Sequence, residues 1–268
     1  MRRSGNSAVR GYIKGLYPRG VVSYLDNTNL SFHIHNATGA GKRPSSFPVI
    51  VAKYKHKNRY FLNCSEHMPI LDIGVCLKKN YCYDAARASW VFNYGKDKFA
   101  EKEYNLVIVR SPHNHLASIV RYPQGRMKYL FYGQDEFLEF TELWIQYAEE
   151  ALSITNHIPN KIVVLFDKLV DSPNYRECFS NTLGIKYVDS AIGFFVGTGS
   201  SFDGKKYKKG GQAYKMKVLD RWKYLIDPGG KVWWSFDECK EKLMNPKVVE
   251  YTKALFDIDL EDIFNEKR

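Results

Sequence analysis

The first segment that could do chemistry stands at the start of the chain, where small polar residues lead into an amphipathic stretch. The segment reads Arg3-Ser4-Gly5-Asn6-Ser7-Ala8. A glycine-containing loop that opens directly into a helix exposes backbone N–H groups to an anion at the positive end of the helix dipole. The Arg3 guanidinium and the hydroxyls of Ser4 and Ser7 add further donors. This pattern favours an anion-binding loop, and its alternative is an unstructured basic tail.

A second candidate follows the most apolar run of the sequence. Residues Asn105–Val109 are almost wholly apolar and are followed by Arg110. Apolar residues on both faces predict a central strand, and ligands of α/β sheets bind at the carboxyl ends of such strands. Ser118 lies about two turns along the helix expected after Arg110, so both side chains could face one anion. Two anion sites suit a ligand with phosphates at two ends, whereas the alternative for Arg110 is an ion pair with a carboxylate.

Apolar periodicity predicts the elements that position these segments. Strands are predicted at Gly20–Leu25, Val49–Tyr54, Tyr60–Asn63, Tyr104–Val109 and Lys161–Phe166. Helices are predicted at Asn6–Tyr17, His113–Tyr122, Asp135–Thr155, Asn174–Leu183 and Pro246–Phe256. The alternation predicts an α/β fold with a mainly parallel sheet and helices on both faces. A length of 268 residues suits a single domain over residues 1–268.

Residues 193–217 differ in composition from the rest of the chain. The run Gly193–Gly211 is rich in glycine, serine and lysine and has no apolar periodicity. Such a segment offers little to a packed core, so we expect residues 193–217 to form a mobile loop or lid.

Taken together, the motifs resemble those of the sulfotransferases that use 3′-phosphoadenosine 5′-phosphosulfate (PAPS). The Arg3 to Ser7 loop looks like that family's 5′-phosphosulfate loop, and the stretch from Arg110 to Ser118 resembles its 3′-phosphate motif, including the Arg-to-Ser spacing. The resemblance covers nearly the whole chain and implies a P-loop NTPase-like sulfotransferase fold. In that fold a buried strand precedes the phosphate loop. Since only two residues stand before Arg3, we expect this first strand to be truncated.

A later stretch departs from the family pattern at one point. The residues after Val163 resemble the family's strand that ends in Tyr-Glu-Asp-Leu and runs to a proline. Phe166 and Asp167 stand here in place of the Tyr-Glu pair, so a nucleotide contact from that tyrosine hydroxyl is not expected.

Two further segments complete the implied cofactor site. Gly199–Asp203 is similar to the Ser-Phe segment that lies against the adenine, and Val218–Lys223 is similar to the basic closing segment. The resemblance thus implies that the cofactor is bound by Arg3, Ser4, Gly5, Asn6, Ser7, Ala8, Arg110, Ser118, Ser201, Phe202 and Arg221.

The resemblance also implies a reaction, the transfer of a sulfuryl group from PAPS to a hydroxyl or amine of an acceptor such as a glycan. Arg3 would stabilise charge on the leaving phosphate, because a guanidinium does not release its proton at neutral pH. His67-Met68-Pro69 resembles the His-Leu-Pro in which the cytosolic branch places its catalytic histidine. Glu66 is the alternative base, because glycan-modifying branches use a carboxylate. No metal is implied.

The formal net charge of +11 favours anionic ligands and leaves two other function classes open. A nucleic-acid- or polyanion-binding basic module is suggested by lysines interleaved with tyrosines, as in Lys53-Tyr54-Lys55, although no specific nucleic-acid motif accompanies them. A P-loop kinase would require a strand-end aspartate for Mg²⁺, and no persuasive Walker B aspartate is present.

Cysteine usage and hydropathy bear on the compartment. The five cysteines form no CxxC pair and indicate neither a zinc site nor a complete disulfide framework. No apolar run approaches the ~18 residues that span a bilayer. We therefore expect a cytoplasmic protein without a membrane span, whose partner is a small-molecule or glycan acceptor and not a specific nucleic acid; the oligomeric state stays open.

Overall fold

The computed structural model describes residues 6–16, 22–26, 60–64, 70, 81–84, 89–92, 102–120, 140–193, 217–226 and 236–265. The strands are β1 (Val22–Asp26), β2 (Tyr60–Cys64), β3 (Tyr81–Asp84), β4 (Ser89–Phe92), β5 (Lys102–Val109) and β6 (Lys161–Leu165). The helices are α1 (Asn6–Leu16), α2 (Pro112–Val120), α3 (Phe140–Ala151), α4 (Phe166–Asp171), α5 (Pro173–Thr182), α6 (Lys223–Ile226), α7 (Phe236–Leu243), α8 (Pro246–Phe256) and α9 (Leu260–Asn265). A 3-10 turn spans Asp189–Gly193.

Four strands form a parallel sheet in the order β1-β2-β5-β6. In its register Asn63 lies opposite Asn105, and Val109 lies opposite Leu165. Strand β5 thus has a neighbour on each side, as its apolar sequence predicts, and the predicted α/β class with a parallel sheet is confirmed. Strands β3 and β4 form a separate antiparallel pair that the periodicity did not predict.

Strand β5 divides the interior into two apolar clusters, because its side chains alternate between the two faces of the sheet. Leu106 and Ile108 join buried residues of α1, α4 and α5. Val107 and Val109 join buried residues of α2, α3, α7, α8 and α9. Helices therefore cover both faces of the described sheet, as predicted.

Most of the predicted helices occur close to their expected bounds. Helix α8 matches its prediction at both ends, with Asn245 as a cap that accepts a hydrogen bond from the Lys247 N–H at 3.0 Å. Helix α1 begins at Asn6 as predicted. The apolar stripe of α3 is core, as its spacing indicates. The unpredicted helices α4, α6, α7 and α9 span four to eight residues, too few for a clear helical period.

The predicted end of strand β6 was wrong, and β1, β2 and β5 also differ from their predicted bounds by one or two residues. Strand β6 was predicted to include Phe166, but it ends at Leu165 and the chain turns directly into α4. Phe166 is buried in the cluster beneath α1. An apolar residue at this place would be buried in a strand as well as in a helix, so hydrophobicity alone does not distinguish the two elements. Ser172 then caps α5 by accepting a hydrogen bond from the Tyr175 N–H at 3.2 Å.

Other predictions fall outside the described residues. The strand expected at Val49–Tyr54 is among them, as are residues 194–216 of the expected lid. Within the described ranges, no helix is long and apolar enough to cross a membrane.

Candidate anion-binding site

The site is built where β5 ends and α2 begins. Arg110 follows the last residue of β5, and the Ser111 carbonyl accepts the His115 N–H at 2.9 Å as the first hydrogen bond of α2. Ser118 lies two turns along α2, and its Oγ accepts a hydrogen bond from Arg110 Nη1 at 2.8 Å. The predicted spacing of these two residues therefore places their side chains in contact.

A distant segment brings a second arginine to the same serine. Arg110 Nη2 donates to the Val218 carbonyl at 2.7 Å, which docks residues 217–226 beside the end of β5. Arg221 Nη1 then donates to Ser118 Oγ at 3.2 Å. Two guanidinium groups thus meet at one hydroxyl oxygen, and the Ser118 hydroxyl donates in turn to the Asn114 carbonyl at 2.9 Å. We call this arrangement the Arg110–Ser118–Arg221 cluster.

The burial of the cluster strengthens the electrostatic effect of its positive charge. Arg110 is 1% exposed and Ser118 is fully buried, so little water screens the Arg110 guanidinium, whereas Arg221 is half-buried. The Arg110 guanidinium also lies over the Phe166 ring, 5.2 Å from the ring centroid. An anion with several oxygens bound there could accept hydrogen bonds from both guanidinium groups.

Asp167 holds the turn between β5 and α2. One carboxylate oxygen accepts the Ser111 N–H at 2.8 Å, and the other accepts the Ser111 hydroxyl at 2.6 Å. The Ser111 N–H, at the start of α2, therefore faces a carboxylate, which the helix dipole favours. The sequence showed Asp167 only as a departure from a family pattern. Its position two residues after the end of β6, next to β5 in a parallel sheet, was the signal that could have predicted this contact.

Trp144 fixes the backbone of Arg110 from α3. Its side chain is fully buried, and Nε1 donates to the Arg110 carbonyl at 2.9 Å. The helical spacing predicted Trp144 as a core residue, which it is. Its hydrogen bond to the candidate site was missed, because apolar periodicity carries no information about the indole N–H.

His113 adds no charge to this region near neutral pH. Burial lowers the pKa of His113 to about 4, with Asp167 opposing and Arg110 reinforcing that shift. Its Nε2 lies 3.2 Å from Asn114 Nδ2. The positive charge at the site therefore comes from arginine.

Helix α1, which the sequence places after the predicted phosphate loop, is anchored on the opposite side of the sheet from α3. Val9, Tyr12 and Ile13 are buried there, and Ala8 packs at the edge of the same cluster. The Tyr12 hydroxyl donates to the Arg176 carbonyl at 3.2 Å and lies 3.0 Å from Ser180 Oγ. The described part of the predicted loop is the start of this helix, at Asn6.

The described residues include part of the predicted site. Arg110, Ser118 and Arg221 are brought together, and Asn6, Ser7 and Ala8 form the first turn of α1. The remaining predicted residues lie outside the described ranges, and their roles stay predictions: Arg3, Ser4, Gly5, Glu66, His67, Ser201 and Phe202. In the part of the chain that is described, no three His, Cys, Asp or Glu side chains are grouped to hold a metal ion.

The function of this chain has to be inferred from its own residues. No protein-family model, curated protein or solved structure gave a match to this chain.

Proposed function

We propose that this chain is a sulfotransferase that transfers a sulfuryl group from PAPS to a hydroxyl or amine of an acceptor. The observation that carries the proposal is the convergence of Arg110 and Arg221 on Ser118 Oγ. The family resemblance assigns these three residues to the nucleotide. They come from segments about a hundred residues apart, and no local pattern required them to meet.

The chemistry of the cluster suits the 3′-phosphate of PAPS. A phosphate monoester carries close to two negative charges and offers several acceptor oxygens. Arginine binds such groups with paired hydrogen bonds, and the Ser118 hydroxyl would add one more donor by turning its proton from the Asn114 carbonyl toward the phosphate. The cluster also lies at the carboxyl end of a central parallel strand, where α/β proteins bind nucleotides.

The residues of the proposed site fall into three groups by task. Arg110, Ser118 and Arg221 would hold the 3′-phosphate and so orient PAPS, which supplies the sulfuryl group. Arg3 and the N–H groups at the start of α1 would hold the 5′ end and stabilise charge on the leaving phosphate. His67 or Glu66 would take the proton of the acceptor.

The finer fold assignment belongs to the same proposal. We infer a P-loop NTPase-like sulfotransferase fold for the described parallel sheet. What supports it is the position of α1 on one face of the sheet and the start of α2 at the arginine-bearing end of β5.

The test is transfer of radioactive sulfur from labelled PAPS to panels of glycans, phenols and amines. We expect label in at least one acceptor class, together with release of adenosine 3′,5′-bisphosphate. The Arg110→Ala variant should reduce this transfer at least ~100-fold, as expected when a buried charged contact to the donor is removed.

Two outcomes would contradict the proposal in different ways. A folded protein that binds adenosine 3′,5′-bisphosphate but labels no acceptor would be a nucleotide-binding protein without transferase activity. A protein that binds oligonucleotides with sequence preference, unaffected by the bisphosphate, would belong to the basic binding modules instead.

A further inference from the structure

Asn114 connects the candidate site to the segment that carries Arg221. The side chain is buried in the first half of α2. Its Oδ1 accepts a hydrogen bond from the Trp222 N–H at 3.1 Å. Its Nδ2 faces Ser111 Oγ at 3.2 Å and Asp167 Oδ1 at 3.3 Å. The amide nitrogen of Asn114 therefore faces the turn after β5, and its oxygen faces residues 217–226.

The contact lies next to the arginine in sequence. Trp222 follows Arg221 directly, so the position of the Trp222 N–H determines where the Arg221 side chain begins. The segment continues as a tight turn, with the Leu225 N–H bonded to the Trp222 carbonyl at 2.8 Å and Leu225 buried in the core. Asn114 and the Val218 carbonyl thus hold the backbone on either side of Arg221.

We propose that Asn114 is a positioning residue, which docks residues 217–226 onto α2 and so places Arg221 beside Ser118. The consequence for phosphate binding rests on the proposed function, whereas the docking itself does not. Only an amide suits this place well, because a carboxylate would face Asp167 and an aliphatic side chain would leave the half-buried Trp222 N–H without its acceptor.

The docking is tested first without any ligand, by amide exchange of tryptophan. The chain contains five tryptophans, so selective nitrogen labelling gives five backbone signals, and Trp222→Phe assigns the relevant one. In Asn114→Ala we expect the Trp222 N–H to exchange at least ~10-fold faster. The Trp144 N–H, in buried α3, should keep its protection and shows that the fold is intact. Unchanged exchange at Trp222 would overturn the docking claim.

The effect on ligand binding is tested with a double-mutant cycle and adenosine 3′,5′-bisphosphate as the probe. Arg221→Ala should weaken binding about 10- to 100-fold, the range for a lost hydrogen bond to a charged group. Asn114→Ala should weaken it about 10-fold. If Asn114 acts through Arg221, the double variant binds no more weakly than Arg221→Ala alone. Losses that multiply would overturn the positioning role.

If Asn114→Ala fails to fold, a pair of variants at Trp222 tests the same hydrogen bond by changing its donor. Trp222→Pro removes the N–H, and Trp222→Ala keeps it while removing the same side chain. Trp222 is the third residue of the turn that the Lys223 N–H closes onto the Asp220 carbonyl, so proline there also restricts the backbone of Arg221, and circular dichroism must show that this variant is folded. We expect the proline variant to bind the bisphosphate about 10-fold more weakly than the alanine variant. Equal affinities would contradict the proposal.

A control variant separates this effect from a general loss of capping. Asn245 also accepts a backbone N–H, that of Lys247 at 3.0 Å, at the exposed start of α8. Asn245→Ala should leave bisphosphate affinity unchanged. If the wild-type protein does not bind the bisphosphate, the proposed function fails, while the exchange experiment still decides whether Asn114 docks the segment.

Discussion

Two buried arginines of this protein have opposite surroundings. Arg176 is 4% exposed and Arg110 is 1% exposed. Arg176 donates to the Asp189 carboxylate at 2.6 and 2.8 Å, and its Nη1 caps α4 through the carbonyls of Leu169 and Val170 at 2.9 and 2.8 Å. Arg110 instead shares a serine hydroxyl with a second guanidinium.

The difference separates a structural arginine from a candidate binding residue. In the surroundings of Arg176 an opposite charge lies close by, and a helix end uses its remaining donors. At Arg110 the described acceptors are a hydroxyl and a backbone carbonyl, and a second guanidinium donates to the same hydroxyl. Burial and residue type are the same in both places, so the partners determine the role.

The largest effect is expected when Arg176 is removed. Arg176→Ala deletes the hydrogen bonds to two helix-end carbonyls and the partner of Asp189, so we expect a loss of about 3 kcal/mol in the free energy of unfolding. Affinity of the folded fraction for adenosine 3′,5′-bisphosphate should not change. Urea unfolding and calorimetry measure the two quantities.

A surface ion pair provides the control for that variant. Lys247 is exposed and lies 2.9 Å from Glu149, so Lys247→Ala should change stability little. A similar loss of stability in both variants would mean that burial and the helix-end contacts of Arg176 do not matter.

Glu150 extends the comparison to a buried carboxylate. It accepts hydrogen bonds from Lys161 Nζ at 2.9 Å and from the N–H groups of His157 and Ile158 at 3.0 Å each. Burial alone would raise the pKa of Glu150, but these bonds and one from Thr155 outweigh it and hold the pKa below its ordinary value of 4.5. Ionised Glu150 therefore stabilises the fold above that value.

The pH dependence of a neutral variant tests this interpretation. Glu150→Gln should lower the free energy of unfolding by about 2 kcal/mol at pH 7. Because the folded pKa is depressed, the difference from wild type should shrink as the pH falls through 4.5 and below. Urea unfolding over this range would contradict the account if the difference grew in acid.

A smaller effect is expected when the charge of Arg110 is kept but its geometry is lost. Lysine cannot donate at once to Ser118 Oγ and to the Val218 carbonyl in the planar arrangement of a guanidinium. Arg110→Lys should therefore weaken bisphosphate binding about 10-fold, or about 1.4 kcal/mol. An unchanged affinity would show that charge alone is needed.

Local sequence patterns predicted the parts of the site that depend on local structure. The apolar run of β5 predicted a central strand, and the spacing from Arg110 to Ser118 predicted two side chains on one side of α2. The resemblance to a family added Arg221, more than a hundred residues away. These are the features that strand alternation and helix period determine.

The contacts that hold the site in place could not be predicted in the same way. The bonds of Asp167 to Ser111 and of Asn114 to the Trp222 N–H join elements whose approach depends on tertiary packing. The boundary at Phe166 was wrong for a related reason, because a buried aromatic residue suits either a strand or a helix. Only the assembled sheet shows which side chains face each other.

The central claim, that the Arg110–Ser118–Arg221 cluster binds phosphate, is tested most directly by calorimetric titration with adenosine 3′,5′-bisphosphate. Wild type and Arg110→Ala are compared, with ATP and adenosine 5′-monophosphate as control ligands. We predict micromolar affinity that prefers the bisphosphate and falls at least ~100-fold in the variant. No binding by the folded wild type, or equal affinity in the variant, would contradict the account.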